Sequence, residues 1–277
     1  MKCTAPHVNI RRHITKHTQS ILIHTLETVQ IPNILANRAL DSAEIRQLKG
    51  LIGQLQWVAK LSRPDIAFDV CQLSTKVKTA TTKELKRANK LVLKLQNEPS
   101  SVKIPCIGSI SESKLYVYSD ASFANLPGSA SQGGFVIFLV GYNGLASPLI
   151  WTSHKLKRVV KSPKAAETLA MQSAAEHAFL LKSLLLEIHG LGNESIPIIC
   201  IVDNESLHSS VHSTNMIEDK RLYVDICSLR EMLTSGEICE VRLTDSANQL
   251  ADCLTKATAS SELLRRVLNG EEKLPQC

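Results

Sequence analysis

The sequence contains eight cysteines but no Cys-x-x-Cys pair, and several of them lie within apolar stretches such as IPIICIV. This pattern is typical of small buried residues in a reducing compartment, and it argues against a disulfide framework or a zinc knuckle. Aromatic residues make up only 4% of the chain, which leaves little for stacking on nucleic-acid bases. No apolar run reaches the roughly 18 to 20 residues that span a bilayer, so no membrane partner is expected.

The length and the net charge of the chain set broader limits on its fold and its partners. A chain of 277 residues, of which 44% are hydrophobic, can bury a substantial core. The formal net charge of +6 suits a polyanionic partner, although a mild basic excess is also common among ordinary proteins. Because the N-terminus lacks the apolar segment of a signal peptide, we expect an intracellular protein, either cytoplasmic or nuclear.

The first part of the chain predicts a tail followed by a helical unit. Residues 1–40 show no regular pattern, and residues 41–100 have the apolar spacing of helices. Asp41 precedes Glu44 by three positions, which is the spacing of a capping box. The basic face of the third predicted helix indicates either a solvated surface or a nucleic-acid contact. Its members are Lys83, Lys86, Arg87, Lys90 and Lys94.

The second part predicts an α/β domain over residues 113–258, after a linker rich in Ser and Pro. LYVYS, GGFVIFLV and LIWTS have the composition of three antiparallel strands. Ser162 and Pro163 then start a long helix that ends at Gly190. IPIICIVD predicts a buried parallel strand, ICEVRL a fifth strand and SANQLADCLTK a helix. The expected fold is therefore a five-stranded mixed sheet flanked by helices, and residues 259–277 form a C-terminal helix or tail.

Four acidic residues occupy positions from which they could share one crevice. Asp120 and Asp203 are predicted at the ends of the first and fourth strands, and Glu167 and Asp252 lie early in helices. Taken singly, each acid is better explained without a cation: Asp120 and Asp203 as turn formers, Glu167 as a charge on a helix surface and Asp252 as a partner of a helix dipole. Together they favour a cation site, because neighbouring carboxylates repel unless a positive charge lies between them. Oxygen ligands suit Mg²⁺ or Mn²⁺, and two such ions about 3.5 to 4 Å apart would support phosphodiester hydrolysis.

Seven motifs in the second part resemble, in order and context, the ribonuclease H domain of copia-like LTR-retrotransposon Pol polyproteins. They are YSDAS, SQGGF, PLIWTSHKLKRVVKS, KAAETLA, VDNESL, EDKRL and NQLADCLTK. The resemblance covers residues 115–256 and implies a ribonuclease H-like fold. Upstream, residues 51–74 look like the helical segment that follows the reverse transcriptase palm, and the basic helix after them resembles the thumb or connection region.

The resemblance implies an activity and a set of catalytic residues. The family's four metal-binding acids correspond to Asp120, Glu167, Asp203 and Asp252. The implied reaction is hydrolysis of the RNA strand of RNA/DNA hybrids with two Mg²⁺ ions, for which Mn²⁺ can substitute. The YxDD polymerase signature is absent and YVDI lacks the second aspartate, so DNA polymerisation is not expected.

The resemblance also implies the partners. An RNA/DNA hybrid is expected to lie across the catalytic edge of the sheet, and other Pol-derived chains are further candidates, in a cytoplasmic virus-like particle or in the nucleus. The stretch SHKLKRVVKSPK is basic and contains no acid, which favours contacts with phosphates. The predicted nucleic-acid-binding residues are Lys155, Lys157, Arg158, Lys161, Lys220 and Arg221. Gly133 and Gly134 are expected to leave room for a nucleic-acid backbone beside the metal site.

Two other functions remain open. A catalytically silent remnant of the retrotransposon would bind nucleic acid or a protein partner without cleaving. A strand-transfer enzyme of the integrase type would use the same fold, but integrases use three acids in a different motif context.

Overall fold

The computed structural model describes residues 23, 25–31, 37–100, 102–192 and 195–274. The chain divides into two compact units, Met1–Lys103 and Ile104–Cys277. Much of the tail predicted for residues 1–40 lies outside the described residues, as do residues 275–277 of the predicted C-terminal segment. None of the helices in the described part of the chain combines the length and the apolarity needed to cross a membrane.

The first unit is helical, as predicted. Its helices are α1 (Ser42–Leu61), α2 (Ala67–Lys76) and α3 (Thr82–Asn97). Asp41 and Glu44 form the predicted capping box at α1, and Thr81 and Glu84 form a second one at α3. In each box, side chains satisfy backbone N–H groups that the first helical turn leaves without partners. The apolar faces of the three helices pack into one core.

A buried arginine ties the turn after α1 to the end of α3. Arg63 has no exposed surface, and its guanidinium donates to both carboxylate oxygens of Asp65, at 2.8 and 2.9 Å. It also donates to the Glu98 carbonyl oxygen at 2.7 Å. Burial alone would raise the pKa of Asp65, but the hydrogen bonds and charge of Arg63, together with the charge of Lys94, hold that pKa below its ordinary value. The SRPD motif therefore has a structural role in this unit.

Part of the predicted basic face on α3 is neutralised within the unit. Arg87 forms an ion pair with Asp69, and the Lys94 ammonium lies 3.3 Å from an Asp65 carboxylate oxygen. These pairs lower the net positive charge that the helix presents to solvent. They favour the interpretation of this face as an ordinary solvated surface.

The second unit contains the predicted five-stranded mixed sheet. The strands are β1 (Lys114–Leu126), β2 (Ala130–Val140), β3 (Ala146–Lys155), β4 (Ile198–Val202) and β5 (Glu240–Leu243). Their order in the sheet is β3-β2-β1-β4-β5. The first three strands form an antiparallel meander, whereas β4 is parallel to β1 and β5 is parallel to β4. The fold-class prediction is confirmed.

The helices of this unit are α4 (Pro163–His189), α5 (Glu205–His212), α6 (Lys220–Thr234) and α7 (Glu262–Leu268). At the start of α4, the Ser162 hydroxyl accepts a hydrogen bond from the Ala165 backbone N–H, and Gly190 ends the helix with a φ of 65°. Both ends agree with the sequence prediction. The buried face of α4 is rich in alanine, so the helix can approach the sheet closely. Its fully buried members include Ala166, Ala170, Ala174 and Ala178.

Two local predictions were wrong. SANQLADCLTK does not form a helix: it contains two short 3-10 turns, Ser246–Asn248 and Asp252–Leu254. Gln249, between the turns, is extended and points inward, where its amide nitrogen donates to the Ser119 carbonyl oxygen at 3.1 Å. The packing of this segment against β1 thus outweighs its helical propensity, which tertiary context routinely overrides. In addition, β1 does not end at Asp120 but continues to Leu126, because β2 pairs with it well beyond the point where β4 stops.

Candidate metal centre

Asp120 lies in the middle of β1, at the point where one of its two neighbouring strands ends. Pairing with β4 stops at Tyr118 and Ile201, whereas Asp120 itself pairs with Gly134 of β2. Asp203 directly follows β4. Because β1 and β4 are parallel neighbours, Asp120 and Asp203 reach the same edge of the sheet, which is where functional crevices form in such folds.

Asp252 completes a group of three carboxylates. The 3-10 turn Asp252–Leu254 carries it to the same edge, although not in the predicted helix. One ligand oxygen each from Asp120, Asp203 and Asp252 lies within 4.8 Å of the others. In the described part of the chain, no other group of three or more His, Cys, Asp or Glu residues has such an arrangement.

Glu167 joins this group from the first turns of α4. It is buried, and its carboxylate accepts a hydrogen bond from the Ala121 backbone N–H. Its other oxygen, Oε2, is buried without a hydrogen-bond partner among the described residues. Burial, together with the negative charges of Asp120 and Asp203, raises the pKa of Glu167 to about 10. The protein thus places a fourth carboxyl group where it is costly to ionise without a cation.

Asp120 is the most enclosed of the four acids. Its burial raises its pKa to about 6, and the charges of Asp252 and Asp203 act in the same direction. The Lys256 ammonium and a hydrogen bond from the Thr255 hydroxyl oppose this shift. The Thr255 donor holds one carboxylate oxygen of Asp120, since it bonds to Oδ2.

Lys256 is the functional candidate that the sequence analysis missed. Its ammonium nitrogen lies 2.6 Å from Asp252 Oδ1 and 3.3 Å from Asp120 Oδ1. The available signal was its position four residues after Asp252, a spacing at which charged side chains often pair. Lys256 is the last residue of the LADCLTK motif, so the motif supplies one negatively charged and one positively charged side chain to the same cluster.

The four acids fit a divalent cation. All of them offer hard oxygen ligands, which Mg²⁺ and Mn²⁺ prefer. The partnerless Oε2 of Glu167 and the raised pKa of two carboxyl groups indicate that Lys256 alone does not balance the negative charge. The structure therefore brings Asp120, Asp203 and Asp252 together at one edge of the sheet, with Glu167 beside them. Among the described residues, neither Asp203 nor Glu167 forms an ion pair.

The turn that carries Asp252 is held from several sides. The Ser153 hydroxyl donates to the Leu254 carbonyl oxygen at 2.6 Å, and the Asn125 amide donates to the Thr255 carbonyl oxygen at 3.2 Å. Gly134 leaves the space that this turn occupies, since a Cβ atom there would lie 2.7 Å from Leu254 Cβ. The expectation that Gly134 makes room for nucleic acid is therefore wrong: the space is filled by the protein itself.

The predicted nucleic-acid-binding residues lie in two exposed groups. Lys155, Lys157, Arg158 and Lys161 belong to the end of β3 and the loop before α4, and Lys220 and Arg221 belong to the first turn of α6. Two of the six have acidic partners on α6 or at its N-cap. Arg158 pairs with Asp225, and the Lys161 ammonium lies 3.6 Å from an Asp219 oxygen. Lys155 and Lys157 have no ion pair within the described part of the chain.

A cleft of about 710 Å³ lies beside this basic loop. Lys155 and Lys157 line it together with His154 and His177, and the buried ring of Phe135 packs against both imidazoles. Burial holds the pKa of His154 below its ordinary value, and the nearby charges of His177 and Lys157 act in the same direction with smaller effect. At neutral pH the positive charge of the cleft therefore comes from its basic side chains, with His154 neutral.

The mixed sheet, the strand order and the edge cluster of acids define a ribonuclease H-like fold. The homologues of this chain are retrovirus-related Pol polyproteins of copia-like transposons. The chain is 26% identical over 262 residues to the Pol polyprotein of transposon RE1 from Arabidopsis thaliana. The aligned region covers 91% of this chain and 17% of that protein. A putative transposon Ty5-1 protein of Saccharomyces cerevisiae is 28% identical over 166 residues, or 56% of this chain and 50% of that protein. No family model matches the chain.

Solved structures with a similar arrangement include ribonucleases H. LC11-RNase H1 is 13% identical with a TM-score of 0.39, and the match covers 51% of this chain and 92% of that one. The foamy viral protease-reverse transcriptase, solved in complex with an RNA/DNA hybrid, is 16% identical with a TM-score of 0.37, over 66% of this chain and 27% of that one. Similarity at this level carries no information on activity. The chain also spans only 17% and 15% of the lengths of the two Arabidopsis polyproteins, RE1 and RE2.

Proposed function

We propose that this chain is a retrotransposon-type ribonuclease H, which hydrolyses the RNA strand of RNA/DNA hybrids with divalent cations. The observation that carries the proposal is the convergence of Asp120, Asp203 and Asp252, with Glu167 beside them, at one edge of a ribonuclease H-like sheet. The homology to retrotransposon Pol polyproteins supports it. The fuller form of the proposal is a site for two Mg²⁺ ions, with Mn²⁺ as a substitute.

The bound cations would supply positive charge to the scissile phosphate and lower the pKa of water. The chain's own residues prepare the site for them. The Thr255 hydroxyl fixes Asp120, the Ala121 backbone N–H fixes Glu167, and the Ser246 hydroxyl donates to Asp203 Oδ2 at 3.0 Å. Each of these donors occupies part of a carboxylate and leaves oxygen lone pairs for a cation. The acids are therefore oriented before any ligand arrives.

The basic loop before α4 supplies the proposed hybrid contacts. Lys155 and Lys157 are exposed and form no ion pair with any described residue, whereas Arg158 and Lys161 form ion pairs with acids of the α6 region. Unpaired lysines can neutralise backbone phosphates without first breaking an ion pair. These contacts position a nucleic acid and do not read its sequence.

Hydrolysis of a labelled hybrid tests the function directly. The purified chain is incubated with an RNA/DNA hybrid, an RNA duplex and a DNA duplex, each with Mg²⁺, Mn²⁺ or EDTA. We expect cleavage of the RNA strand in the hybrid alone, and only with a divalent cation. Salt-sensitive binding of the hybrid without any cleavage would contradict the proposal.

One observation favours a second candidate, which is binding of nucleic acid without cleavage. The Lys256 ammonium already forms ion pairs with two of the four acids. A site whose charge is partly balanced from within has less need of a cation. The same hybrid assay separates the two candidates, since the silent protein would bind the hybrid and leave its RNA strand intact.

We expect the double substitution of Lys155 and Lys157 by alanine to weaken hybrid binding and to reduce its salt dependence. Loss of two phosphate contacts lowers the slope of log K against log salt by about 1.8 for a duplex, at about 0.9 per contact. Fluorescence anisotropy at several salt concentrations measures this slope. The matched control replaces Lys49 and Lys60, two exposed lysines of α1, by alanine. An equal loss of slope in both double variants would show that net charge alone matters.

A further inference from the structure

Lys256 divides the acid cluster into two unlike halves. Its ammonium contacts Asp120 and Asp252 at 3.3 and 2.6 Å. Asp203 and Glu167 form no ion pair among the described residues, and Glu167 Oε2 has no hydrogen-bond partner among them either. One half of the cluster is therefore occupied by a cation that belongs to the chain, and the other half has unused oxygen atoms.

The backbone next to Lys256 is held by hydrogen bonds, whereas its ion-paired side chain is partly exposed to solvent. The preceding Thr255 is buried, donates to Asp120 and is held at its carbonyl oxygen by Asn125. The Lys256 side chain remains 36% exposed and ends a flexible four-carbon stem. An ammonium on such a stem can leave the two acids for solvent by changing rotamers, without any movement of the turn.

We propose that Lys256 is a resident counter-ion that competes with a divalent cation for the Asp120–Asp252 half of the metal centre. The inference rests on the proposed metal centre and adds the order in which its two cations bind. The Asp203–Glu167 half binds the first cation, and the Asp120–Asp252 half binds a second one only when the ammonium withdraws. The ammonium and a second divalent cation compete because the ammonium already contacts one oxygen of each acid, Asp120 Oδ1 and Asp252 Oδ1.

The inference has two measurable consequences for the chain without nucleic acid. Lys256 stabilises the metal-free fold, because it offsets the mutual repulsion of the acids. It also weakens the second cation site. Replacing it with Met, a residue of similar length without charge, should lower the metal-free melting temperature and tighten the second site by about tenfold or more.

Calorimetric titration of Lys256→Met with MgCl₂ and MnCl₂, together with melting curves in EDTA, tests both consequences. Lys256→Arg keeps the charge and should retain the weak second site. Lys182→Met, in α4 and absent from the ion pairs of the cluster, is the matched control for loss of a lysine. Lys256→Gln, which is neutral but polar, replaces Lys256→Met if that variant does not fold. Cation affinities and a metal-free melting temperature equal to those of the wild type, in the neutral variant, would overturn the inference.

The outcome is separable from that of the proposed function. If the wild-type chain cleaves the hybrid and Lys256→Met binds cations as the wild type does, the counter-ion role of Lys256 is refuted and the proposed ribonuclease activity stands. If Lys256→Met binds cations more tightly but the wild-type chain does not cleave the hybrid, the proposed ribonuclease activity is refuted and the counter-ion role of Lys256 is supported.

Discussion

Asp120→Asn is expected to reduce cleavage of an RNA/DNA hybrid by at least about 10³-fold, because it removes the charge of the acid at the centre of the cluster. A cation in such a site contributes several kcal/mol to the transition state, and each 1.36 kcal/mol corresponds to about tenfold in rate. Asn has nearly the same shape, and its carbonyl oxygen can still accept the hydrogen bond from Thr255. The fold should therefore persist, which circular dichroism and a melting curve can establish beside the rate measurement.

Glu167→Gln provides an independent form of the same test. It replaces a carboxyl group, whose Oε2 atom is buried without a hydrogen-bond partner among the described residues, by an amide that cannot ionise to bind a cation. The metal-free protein should therefore be at least as stable as the wild type, while cleavage is lost. Glu176→Gln, an exposed acid on the same helix, is the matched control and should leave the rate unchanged. Wild-type cleavage rates in both Asp120→Asn and Glu167→Gln would assign the observed activity to another site or to a contaminant.

Gly134→Ala is expected to lower hybrid cleavage by about 10²-fold, although Gly134 offers no chemical group. The new Cβ atom would lie 2.7 Å from Leu254 Cβ and 3.2 Å from the Thr152 carbonyl oxygen, so the Asp252–Leu254 turn must shift. A displacement of about 1 Å in catalytic groups can cost about 10²-fold in rate. Overpacking of this kind also destabilises a fold by about 1 to 3 kcal/mol, which chemical denaturation can measure.

The neighbouring Gly133 provides the matched control. A Cβ atom there would lie 2.8 Å from Leu156 Cδ2, which is the far end of a flexible side chain, and 3.4 Å from atoms of the His154 ring. These side chains can move aside without disturbing Asp252, so Gly133→Ala should retain much more activity than Gly134→Ala. Equal rates for the two variants would mean that the position of the Asp252 turn does not depend on Gly134.

The features of the fold that the sequence predicted correctly are those that depend on residues close together along the chain. Asp41 with Glu44, and Ser162 with Pro163 and Gly190, were identified correctly as helix ends because caps involve residues within three or four positions of each other. The succession of strands and helices along the chain likewise follows from short β-rich runs and the helices between them, whereas the order of the strands within the sheet comes from the structure. The segment SANQLADCLTK has a helical composition, but at Gln249 its backbone is extended and the side chain donates to the Ser119 carbonyl oxygen of β1. No local sequence pattern predicts that contact.

By itself, the sequence determined which acids this protein has, that Asp203 follows a strand and that Glu167 lies early in a long helix, because residue type and periodicity are properties of the chain. Only the tertiary structure decided that Asp120 is a buried residue within a long strand, that Gly134 makes room for the turn of Asp252, and that Lys256 lies between two of the acids. The physical reason is that charge balance and close packing depend on distances between segments more than a hundred residues apart. For Asp120 and Lys256, that distance is 3.3 Å across 136 positions of the chain.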